Sequence, residues 1–156
     1  MSRMIKSIIL VALLSSGVFV SAAAPDSPSR KLDEFGDIKC EDEMARLDNL
    51  AVQLQNEPRS RAAIIFFAGK MAGDKLPKRG EAEARVERIK EYLTKRRGIP
   101  AANLVLMNGG YDNNYRVQLW VISPEAGLPK PEPSSSVKDV RYRSGKVNPR
   151  NYRCGI

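Results

Sequence analysis

The sequence predicts a small α/β class fold, a two-layer sandwich with the element order β-α-β-α-β-β, and three observations carry that prediction. Residues 61–69 (RAAIIFFAG) are an unbroken apolar run between a Pro-containing turn and Gly69, as expected of a strand buried on both faces. Two segments on either side of it repeat apolar residues at helical spacing. Residues 115–122 (YRVQLWVI) alternate polar and apolar, the pattern of a strand with one solvated face.

Taken in order, residues 32–39 (LDEFGDIK) hold one short strand around Phe35 to Ile38. The first helix follows, with Asp42 as its expected cap, acidic residues in its first turn and Met44, Leu47, Ala51 and Leu54 on one face. Asn56-Glu57-Pro58 ends it, and the buried strand comes next. Residues 70–79 read as a loop. The second helix runs from about Gly80 to Arg97, with Ala82, Val86, Ile89 and Leu93 on its apolar face. Gly98 and Ile99-Pro100 stop it. Residues 104–107 (LVLM) read as the third strand and 108–113 as a turn into the fourth. The first crossover is expected to join parallel neighbours, and the last two strands to pair as a hairpin.

The chain opens with Arg3 and Lys6 ahead of an apolar run, residues 7–20, which is broken by Ser15, Ser16 and Gly17 and followed by Ser21-Ala22-Ala23-Ala24. This is the pattern of a cleavable secretory signal, residues 1–23, too short and interrupted to be a lasting membrane span. The expected organisation is then a linker over 24–32, one domain over 33–123, a Pro/Ser-rich linker over 124–136 and a basic tail over 137–156. The location expected is periplasmic or secreted.

The net charge is +8, and seven basic against three acidic side chains lie after Pro124. An exported chain rarely meets nucleic acid, so the tail reads as contacting an anionic surface or as solubility charge. There is no histidine, which removes His-dependent triads and ordinary zinc-hydrolase sites. No phosphate loop or nucleophile elbow occurs in the mature part, so the expectation is no enzyme and no cofactor. Glu83, Glu87 and Glu91 form an i,i+4 series among Lys and Arg, which reads as a solvated helix face. Cys40 and Cys154 are the two cysteines, and in an oxidising compartment an even pair favours a disulfide. Unpaired thiols or an intermolecular bridge are the alternatives.

Three stretches carry a resemblance: residues 47–69 (LDNLAVQLQNEPRSRAAIIFFAG), 85–104 (RVERIKEYLTKRRGIPAANL) and 116–122 (RVQLWVI). Together they are similar to the first helix, turn and strand, the second helix and the last strand of the OmpA-like domain family, which grips peptidoglycan in the cell envelope. The resemblance implies that Arg85 and a loop acid bind the charged groups of the stem peptide's diamino acid. The nearest acid is Asp74, two positions late in the loop, and the family's residues between loop and arginine do not match Lys78, Glu81 and Ala82. The expected function is an exported, non-catalytic binding module of the cell envelope that takes peptidoglycan. The alternative is an OmpA-like structural or interaction protein that has lost that ligand and engages an envelope protein.

Overall fold

A computed structural model of the chain describes residues 28–134 and 140–152. The signal-peptide expectation falls on residues outside these. Six main elements follow one another: β1 (Arg30–Phe35), α1 (Cys40–Asn56), β2 (Arg61–Lys70), α2 (Glu81–Lys95), β3 (Leu104–Asn114) and β4 (Arg116–Ile122). The strands form one mixed sheet in the order β1-β4-β2-β3. Among the described residues the fold is thus mixed α/β, with two α-helices and a four-stranded sheet. Among the described residues no helix is long and apolar enough to cross a membrane.

Strand β2 is central, and its apolar run is buried on both faces, as expected of such a sequence. Ala62, Ile64 and Phe66 point to the helices. There they join Leu47, Leu50, Ala51 and Leu54 of α1, Val86, Ile89 and Leu93 of α2, and Val117, Leu119 and Val121 of β4 in one core. Ala63, Ile65 and Phe67 point the other way and are equally buried, with Ile122 beside them. On that face Arg116 lies over the Phe67 ring, 4.1 Å from its centroid, and Trp120 Nε1 donates to Gln118 Oε1 at 3.1 Å. Residues 124–134, read from sequence as a linker, also reach this side of the sheet. Pro129 is buried, Arg116 donates to the Glu132 carbonyl, and Ser134 donates to Asp112.

Two pairing expectations are overturned. Strands β3 and β4 do not form a hairpin, because β2 lies between them, pairing parallel with β3 and antiparallel with β4. Nor are β1 and β2 neighbours, since β4 is inserted between them. Placing β4 there puts its apolar Val117, Leu119 and Val121 in the middle of the sheet. The polar β1 is left as an edge, where charged side chains discourage further pairing. Strand β1 also starts at Arg30 rather than near Phe35, because its ladder to β4 selects those residues and their propensity does not. Likewise β3 runs on through residues expected to turn, held by its register with β2 through two irregularities. Helix α1 begins at Cys40 with no side-chain cap, so Asp42 lies in its first turn instead of capping it.

The chain leaving β3 therefore straddles the end of β2 before descending as β4. Tyr115 N–H donates to the Lys70 carbonyl at 2.8 Å in this crossing. The backbone there comes so close that a Cβ built on Gly69 would lie 2.2 Å from the Asn114 carbonyl carbon. Only glycine leaves room for the crossing. Gly69→Ala is expected to destabilise the protein by about 1–3 kcal/mol or more through forced backbone displacement, seen as a lower denaturant midpoint. An unchanged midpoint would mean that the crossing yields freely.

Candidate functional site

The crossing at Tyr115 delivers that side chain to the helix face, 1% exposed, at the ends of β1 and β2. Around it converge Asp37 from the β1–α1 connection, Glu43 from the first turn of α1, and Glu81, Arg85 and Arg88 from α2. The reason these residues converge lies in the helix stripes. Glu43 stands one turn before Leu47 on the buried face of α1, and Arg88 stands between Val86 and Ile89 on that of α2. Acidic residues in the first turn of each helix also suit its positive end.

Arg85 makes the central contact. Its Nη1 donates to Asp37 Oδ1 at 2.8 Å, and its guanidinium lies 5.1 Å from the ring centroids of both Tyr115 and Tyr152. Asp37 Oδ2 accepts the Ala72 N–H at 3.0 Å, so one carboxylate ties α2 to the loop after β2. Deeper in, Arg88 pairs with Glu43, and both side chains are almost fully buried. Burial pushes the Glu43 carboxyl above its ordinary range, against the charge and hydrogen bond of Arg88. Burial likewise raises the Tyr115 hydroxyl, although the Arg85 charge opposes it. Two buried atoms of this cluster have no hydrogen-bond partner, Arg85 Nε and the Tyr115 hydroxyl. Beside the cluster a cavity of about 350 Å³ is lined by Gly36, Asp37, residues 70–74, Asn114 and Tyr115.

Of the two residues singled out as ligands, Arg85 is in the cluster. Asp74 is at the rim of the cavity, with a side chain 85% exposed and paired to Lys70 at 3.4 Å. The carboxylate that meets Arg85 is Asp37, which lies 48 residues earlier in the chain. Glu81, one turn before Arg85 on α2, faces inward. It is buried, accepts the Lys78 N–H at 2.7 Å, and takes the Arg143 guanidinium at 3.1 Å. Sequence reasoning missed Asp37, Glu43, Arg88 and Tyr115. The available signal was a charged residue at an apolar-face position, which Glu43 and Arg88 both display. Glu83 and Glu87 are exposed, as a solvated face requires. Among the described residues no group of acids or cysteines has metal-site geometry. Cys40 opens α1, whereas Cys154 lies outside the described residues.

No protein-family model matches the chain, and no curated protein matches it in sequence.

Glu43→Ala would strand a buried guanidinium without this carboxylate and is expected to cost about 3–5 kcal/mol in chemical denaturation. A cost no larger than that of a surface substitution would show that the pair is dispensable.

Proposed function

We propose that the chain is an exported, non-catalytic binding module of OmpA-like type that associates with the cell envelope by holding the peptidoglycan stem peptide. One observation carries the reading: Arg85, the arginine implicated by the resemblance, has a carboxylate partner, Asp37, on the wall of a cavity. A guanidinium and a carboxylate side by side complement the carboxylate and ammonium of a diamino acid. Asp37 thereby supplies the acid that the loop register fails to offer, and Asp74 stands further out as a rim charge. The basic tail adds long-range attraction to anionic wall polymers.

In reductant, purified mature protein is expected to sediment with insoluble peptidoglycan, and Arg85→Ala to remain in the supernatant. Wild type and variant behaving alike in that assay would remove this reading. A second reading, an interaction protein that no longer takes peptidoglycan, draws on Tyr152, whose ring covers Arg85. It expects no sedimentation at all, and loss of a co-purified envelope protein when residues 124–156 are deleted.

Cys40 and Cys154 are proposed to pair, giving up their thiol hydrogens to a disulfide oxidant of the exported compartment. Tyr152 supports this, because its carbonyl accepts from Arg88, which pairs with Glu43 one turn along α1 from Cys40. Cys154 follows by two residues, a reach of about 7 Å. Thiol alkylation is expected to label the protein only after reduction; labelling of both cysteines without reductant would exclude the bridge.

A further inference from the structure

We propose that residues 143–152 are a strap that closes over the Arg85 cluster, so that the cluster takes its ligand only when the strap is displaced. The inference rests on the reading that the cluster binds the stem peptide, and it adds how access to it is controlled.

The strap is fastened at both ends to charged residues of α2. Arg143 pairs with Glu81 and also donates through Nε to the Leu76 carbonyl at 2.8 Å, and at the other end Tyr152 meets Arg85 and Arg88. Between those anchors Lys78 Nζ donates to the Lys146 carbonyl at 3.0 Å. At its far end the strap performs ligand-like contacts. The Tyr152 ring covers the Arg85 guanidinium, and its carbonyl accepts from Arg88 Nη1. A carboxylate-bearing ligand would compete for both arginines.

Two further features make the closed state displaceable. Residues 144–146 and 148–151 are exposed, so the strap is held by ion pairs, hydrogen bonds and ring contacts and buries little apolar surface. Segments with so few buried apolar contacts open at a small fraction of the global unfolding free energy. The closed strap also leaves Arg85 Nε and the Tyr115 hydroxyl buried and unpartnered. An incoming polar group can satisfy these where the Tyr152 ring cannot, which gives the ligand a differential affinity for the open state.

The test uses full-length mature protein in reductant, so that a Cys40–Cys154 bridge does not hold the strap in place. Arg143→Ala and, separately, Tyr152→Ala are compared with wild type for sedimentation with insoluble peptidoglycan. Labelling of Arg85 by a dicarbonyl reagent is followed by peptide mass spectrometry. Both variants are expected to sediment at several-fold lower peptidoglycan concentration, to expose Arg85 to faster labelling, and to lose the gain when Arg85→Ala is added. Tyr152→Ala decides the matter should Arg143→Ala fail to fold. Arg85-dependent sedimentation that is equal in wild type and variants overturns the strap and leaves the binding reading standing. Unchanged Arg85 labelling also overturns the strap. Faster labelling with no sedimentation by any form overturns the binding reading, and the control of binding falls with it.

Discussion

Strand β2 imposes the constraint on which the rest of the structure depends, because a strand apolar on both sides has to be covered on both sides. The two helices cover one face with a continuous aliphatic core. The other face buries Ala63, Ile65, Phe67 and Ile122, and among the described residues no helix covers it. Arg116, Trp120 and the proline-containing chain after β4 serve there instead. Proline suits that task, because it supplies apolar surface and a pre-set φ without presenting an N–H that would need a partner.

The same strand sets the position of the candidate site. Because β2 separates β3 from β4, the chain has to pass over its end, and Gly69 admits that passage. Tyr115 is thereby carried inward between the two helix N-termini, where charged side chains from three parts of the chain already face one another. A buried assembly of acids and arginines is tolerable only when each charge has a partner, and Glu43–Arg88 and Asp37–Arg85 provide this. The C-terminal segment joins the same network through Glu81, so the tail's basic residues are in part structural.

Much of this was legible in one dimension. The apolar stripe of α2, the buried run of β2, the alternation of β4 and the exposed Glu83 and Glu87 all follow from periodicity, which local geometry alone determines. Strand pairing was not legible. β3 and β4 are adjacent in sequence and suggested a hairpin, yet β2 offers β4 a more apolar neighbour. The start of β1 was also missed, since RKLDEF has no strand signal of its own and becomes a strand through its ladder to β4. Of the Arg85–Asp37 pair the sequence singled out only Arg85, because an ion pair between residues 48 apart has no local signature.

The sequence by itself determined the two helices, the two-faced strand and the charged residues that the helix stripes turn inward. Tertiary structure alone decided that β4 lies between β1 and β2, that Asp37 meets Arg85, and that Tyr152 returns to cover it. The reason is physical. Periodicity is a property of neighbouring residues, whereas strand order and charge pairing depend on which distant surfaces are left to be buried once the local elements have formed.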